Sequence, residues 1–213
     1  MKKSKGLILA TTLIIVSFSI FPTAVLAELN YDAITLGYGK VSESGYPDMT
    51  GYLFGITKSL TKNVYVGAEY ERDIQPTGTA FGDVTGSSIA VNMGFHTPLK
   101  ENTDLIFTGS LMNGSYDFAG FSGNTNGYQL SAGIRAELIP QLVGEAGIGY
   151  SNVNDSFLGT TSTTTSTGLN VSIGYRITPE FELIAEMGSS THTPQNGASY
   201  STRLIGFGAK IYY

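Results

Sequence analysis

Nine charged residues fall into one repeating pattern along this chain. Six acids (Glu69, Glu71, Glu137, Glu145, Glu182, Glu186) and three bases (Arg135, Arg176, Lys210) sit at the polar positions of segments in which every second residue is apolar. Alternate residues of a β-strand share a face, so these nine are predicted to point together, away from the apolar face. Charges gathered in one enclosed space must pair and hydrogen-bond, because an unpaired buried charge is very costly. The set describes either an internal salt-bridge plug or, through its surplus of acids, a narrow cation-selective passage. Two histidines are the remaining candidates for chemistry. His96 shares the polar face with Asn92 and is expected to join the charge network. His192 lies in Thr191-His192-Thr193-Pro194, with Asp83, Asp117 and Asp155 in other loop segments. No spacing sets a nucleophile beside a base, so no catalysis is expected. Two histidines and no cysteines offer few strong metal ligands, and no cofactor is expected.

The elements that carry these residues are strands. In Gly127-Leu138, Tyr128, Leu130, Ala132, Ile134, Ala136 and Leu138 take one face, and Gln129, Ser131, Gly133, Arg135 and Glu137 the other. The same alternation predicts ten strands: 31–41, 49–60, 64–73, 86–98, 105–115, 127–138, 142–151, 168–177, 181–188 and 201–213. The links 61–63, 99–104, 139–141 and 178–180 are short. Those at 42–48, 74–85, 116–126, 152–167 and 189–200 are long and rich in Gly, Ser, Thr, Asn and Asp, with the Thr/Ser run 159–167 expected as a flexible tip. Strict alternation of short and long links is the pattern of an antiparallel up-and-down barrel in an outer membrane, with long loops outside. Eight strands, one hairpin fewer, is the alternative count.

Residues 1–27 have the form of an export signal: Lys2, Lys3 and Lys5, an apolar run from Leu7 to Ile20, then Pro22 and a small-residue end at Ala27. The domain proper is 28–213. Its formal charge is −8, nine cations against 17 acids, which argues against nucleic acid as a partner. With zero cysteines there are no disulfides, so strand pairing must close the fold.

A soluble lipocalin-type barrel has the same period with its apolar face inward. Three features put that face outward here. Charges stand mid-strand on the polar face. Aromatics gather near both strand ends, with Tyr38, Tyr52, Tyr70, Tyr128 and Tyr150 toward the long loops and Phe95, Phe107, Tyr175, Phe181 and Tyr213 toward the short turns. Two such belts suit two membrane–water interfaces. The last strand also runs to the final residue, Tyr213.

Phe207, Ala209, Ile211 and Tyr213 form an alternating apolar series ending in an aromatic. In this the chain resembles the small Gram-negative outer-membrane β-barrel proteins of the OmpX/OmpA-like group. The resemblance implies an outer-membrane location and a terminal signal read by the barrel-assembly machinery. Lys40, Arg72 and Arg203 take the lipid-facing parity at the outer strand ends, where cations can meet lipopolysaccharide phosphates or simply snorkel among headgroups. Tyr46, Tyr116, Phe118 and Phe121 lie among adaptable polar loop residues, as a recognition surface would, or else fold back over the barrel mouth. The leading expectation is a structural or surface-interaction role in adhesion or the envelope, carried by the extracellular loops and an external ligand. The alternative is a narrow porin-like channel.

Overall fold

The computed structural model describes residues 32–77, 82–100 and 102–213, so the export signal expected at 1–27 lies outside the described residues. Ten strands follow one another: β1 Ala33–Glu43, β2 Met49–Ser59, β3 Val64–Gln75, β4 Val84–Lys100, β5 Thr103–Phe118, β6 Phe121–Ile139, β7 Leu142–Phe157, β8 Thr160–Thr178, β9 Phe181–Pro194 and β10 Tyr200–Tyr212. Each pairs antiparallel with its neighbour, and β1 pairs with β10, closing the sheet. The ten-strand reading holds and the eight-strand alternative does not. Closure leaves no edge strand among the described residues, and in hydrocarbon every backbone polar group must find its partner within the fold.

Register fixes the shape. A walk along hydrogen-bonded partners from Tyr212 of β10 to Ala33 of β1, and on around the ring, returns to β10 through His192 at Tyr200. The stagger is therefore 12 residues. Ten strands at that stagger tilt by about 40° and close at a backbone radius of about 10 Å.

The outward face carries an apolar band. Leu36, Ile56, Ile89, Val91, Leu111, Leu130, Ile148, Leu169, Met187 and Phe207 are all exposed. Tyr38 and Tyr52 lie 5.2 Å apart, and Tyr128 and Tyr150 6.3 Å apart, in a ring toward the long loops. Phe95, Phe107, Tyr175 and Tyr213 mark the opposite edge. About 25 Å of hydrocarbon separates such belts in an outer-membrane barrel.

Strand length differs most from the sequence expectation above the tyrosine ring. Links 116–126 and 152–167 are not loops. β5 and β6 meet at a two-residue turn, Ala119-Gly120, and β7 and β8 at Leu158-Gly159, with φ positive at all four residues. That is the hairpin geometry whose backbone twist matches the flanking strands. The Thr/Ser run is strand from Thr160 onward rather than a flexible tip. Likewise, β9 reaches Pro194, leaving 195–199 as the last link. The wall formed by β5–β8 thus rises about 20 Å above the tyrosines, against about 10 Å for β1 and β2.

Candidate functional site

All nine lumen charges expected from sequence face inward, and Asp73, Asp104, Asp155 and both histidines join them. The end of the lumen nearest the short turns is densely filled. Tyr65, His96, Ile106, Val143, Glu182 and Lys210 are each under 2 % exposed. Arg176 donates from Nη1 to Glu137 Oε2 at 3.0 Å, and its Nε lies 3.4 Å from Glu182 Oε2, an ionic contact without hydrogen-bond alignment. The Tyr212 hydroxyl donates to the same Glu182 oxygen at 3.3 Å. Arg135 and Glu145 are register partners, both buried, yet no protein group hydrogen-bonds the guanidinium or the carboxylate among the described residues. Ionised groups in that position need water between them.

Glycine makes this filling possible. Tyr65 on β3 lies flat over its partner Gly94 on β4, where an added Cβ would overlap the ring. Its hydroxyl is 2.7 Å from Thr108 Oγ1 on β5, so one side chain ties three strands together. Tyr116 repeats the device from β5, across Gly123 of β6, to Asp155 of β7 at 2.8 Å. Glu182 lies over Gly174. These glycines make room for a neighbour's side chain rather than open space along a pore.

The outer half of the lumen differs in charge. Glu69, Glu71 and Asp73 stand at successive inward positions of β3, while the three bases all lie toward the short-turn end. Beside the acids an apolar cluster, Val41, Met49, Leu53 and Leu204, fills the side formed by β1, β2 and β10.

The chain matches no protein-family model, and no curated protein matches it in sequence. Solved structures do match in shape. The β-domain of the Bordetella autotransporter BrkA is similar over 85 % of this chain and 99 % of its own, with a TM-score of 0.57 at 14 % identity. An outer-membrane channel from Pseudomonas putida F1 matches over 85 % and 95 %, with a TM-score of 0.53 at 11 % identity. The outer-membrane protease OmpT of Escherichia coli also matches, over 85 % and 94 %, with a TM-score of 0.48 at 11 % identity. A closed antiparallel barrel with an apolar band between two aromatic belts decides the class. This chain is an outer-membrane β-barrel.

The rim of this outer-membrane barrel lies above the tyrosine ring, and three residues expected in loops, His192, Tyr116 and Asp155, belong to its inner wall. His192 is 3 % exposed. Its Nδ1 is 2.8 Å from Ser166 Oγ, its Nε2 is 2.9 Å from Thr202 Oγ1, and its ring stacks on Tyr200 at 4.8 Å. Burial pushes its pKa down to about 4. A neutral ring with each nitrogen on a hydroxyl is held as a strut between β8, β9 and β10. Tyr116, expected on an exposed loop, is buried and stacks on Phe157 at 5.7 Å. Phe118 is half-buried, and Phe121 and Tyr46 are exposed.

Asp155 has one oxygen on the Tyr116 hydroxyl and the other buried without a partner among the described residues. Burial pushes its pKa up to about 6, against the lowering effect of the Tyr116 hydrogen bond. The folded barrel then holds this proton more tightly than the unfolded chain does. The linked stabilisation is complete below 3.8 and is lost as the pH rises through about 6. Unfolding temperatures of the native protein and Asp155→Asn at pH 4 and pH 7 should show it, the native protein losing more stability on going to pH 7.

Lys40, Arg72 and Arg203 are exposed on the outward face near the tyrosines. Register sets Lys40 opposite Ile205, two residues from Arg203. Lys40 is paired with Asp48 at 2.5 Å. At the other end, Phe207, Ile211 and Tyr213 are exposed, and Ala209 is half-exposed, on one outward face.

Proposed function

We propose that this outer-membrane barrel is closed to solutes and serves as a structural or surface-interaction protein of the envelope. The filled short-turn end of the lumen carries this reading. Tyr65, His96, Ile106, Val143, Glu182 and Lys210 are all buried at that level, and such a filling of side chains opposes the passage of solutes. The three bases lie among or beside these side chains, so a cation drawn in by Glu69, Glu71 and Asp73 meets positive charge at the filled end. On this reading lipopolysaccharide is the lipid partner of Lys40, Arg72 and Arg203. Phe207, Ala209, Ile211 and Tyr213 are the segment offered to the barrel-assembly machinery, and no residue acts as a catalyst.

A second reading is favoured by the acid series on β3 and by the Arg135–Glu145 pair, which needs water. On that reading the lumen is a narrow cation passage. The fold is shared by an autotransporter β-domain and by a channel, and so leaves the choice to the lumen's own residues. Planar-bilayer recording of the refolded protein separates the two. Electrical silence is expected; discrete, reproducible, cation-selective steps would replace the closed reading with the channel.

A further inference from the structure

Above the tyrosine ring, the outward face of β6–β9 changes character at once. Its outward positions there are 122, 124 and 126 on β6; 152, 154 and 156 on β7; 161, 163, 165 and 167 on β8; and 189, 191 and 193 on β9. Every one of the 13 is Asn, Ser or Thr. None is charged and none is apolar. Strand faces that meet only water usually carry Lys and Glu, which keep a protein soluble and discourage association. Protein partners are met by aromatic or Arg anchors, and phosphate by cations. Neither is present on this face.

The side chains are also ordered in rows across the strands. Asn126, Asn154 and Thr163 are successive register partners. Asn154 Nδ2 donates to Asn126 Oδ1 at 3.5 Å, and Thr163 Oγ1 donates to Asn154 Oδ1 at 2.8 Å. One row below, Thr165 Oγ1 donates to the Thr193 carbonyl at 3.3 Å, and Thr193 Oγ1 lies 3.2 Å from Ser199 Oγ. Threonine is stiff at χ1, so this half of the face is set before anything binds.

We propose that this face binds the neutral sugars of the lipopolysaccharide around the barrel. Position chooses the occupant. The face continues the lipid interface upward without a break, from acyl band to tyrosine ring and directly on to hydroxyls and amides, while Lys40, Arg72 and Arg203 stand near the tyrosines on β1, β3 and β10. A lipid whose acyl chains lie against the apolar band and whose saccharide rises above them matches this order, with its phosphates left to the cations of β1, β3 and β10. The sugar exchanges hydrogen bonds with fixed amides and hydroxyls and needs no charge. The inference deepens the surface-interaction reading by naming what its outer wall touches.

The test compares complete lipopolysaccharide with the same lipid hydrolysed to lipid A, titrated onto the full mature barrel in detergent. The native protein should bind the complete form at least about tenfold more tightly, which one or two net hydrogen bonds supply. The exposed-site variant Asn126→Ala/Asn154→Ala/Thr163→Val, shown folded by its unheated gel mobility, should lose that preference and keep its affinity for lipid A. Equal affinity of the native protein for the two lipids, or an unchanged preference in the variant, overturns the sugar face. Either result leaves the closed lumen standing, which the conductance recording tests by itself.

Discussion

Arg176→Met should destabilise the folded barrel by about 3–5 kcal/mol, the usual loss when one partner of a buried ion pair is removed. Arg176 contacts both Glu137 and Glu182, and Glu182 is fully buried. Deleting the guanidinium leaves that carboxylate facing protein with less positive charge to balance it. Adding Glu182→Gln should recover most of the loss, since replacing both members of a buried pair with neutral groups is often close to neutral. Urea unfolding from lipid vesicles measures all three proteins. A single variant as stable as the native barrel would show that the lumen is hydrated enough there to solvate the carboxylate.

Gly94→Ala is the second large effect, with about 1–3 kcal/mol lost to overpacking. Its methyl group would overlap the Tyr65 ring, which must then leave the wall. The hydrogen bond between Tyr65 and Thr108 goes with it, removing the tie between β3 and β5 at about 1 kcal/mol more. Gly94→Ala/Tyr65→Leu should regain stability relative to Gly94→Ala alone, because the smaller side chain has no ring to displace. Additive losses in that pair would mean the two residues do not meet as described.

Within the membrane the barrel was legible because its two environments differ. Apolar and polar residues alternate wherever one face meets lipid and the other the lumen, as at Tyr128-Leu138, and this identified the strands and the inward side of all nine charges. Above the tyrosines both faces meet water or polar groups, so the alternation that marks a strand vanishes. Asn152 to Thr167 therefore reads as loop although it is β-sheet on both sides of a tight turn. That turn carries Leu158-Gly159 in place of the usual Asn-Gly signal. Asp155 and His192 were placed outside the strands for the same reason. The ring of Tyr65 over Gly94 was invisible for another: it joins residues of neighbouring strands, and a pattern read along one strand cannot contain it. The role of the lumen was only partly legible, since sequence supplies its charges but not their depth.

The 12-residue stagger bears on how the chain can be assembled. The seam between β1 and β10 meets correctly only if all the other registers together bring Tyr212 opposite Ala33. A slip of one residue in any single hairpin shifts that seam by one and sets lumen-facing residues beside lipid-facing ones. Local mistakes cannot stay local in a ring. Closure is thus a proofreading step, in which the last pairing to form checks every pairing made before it.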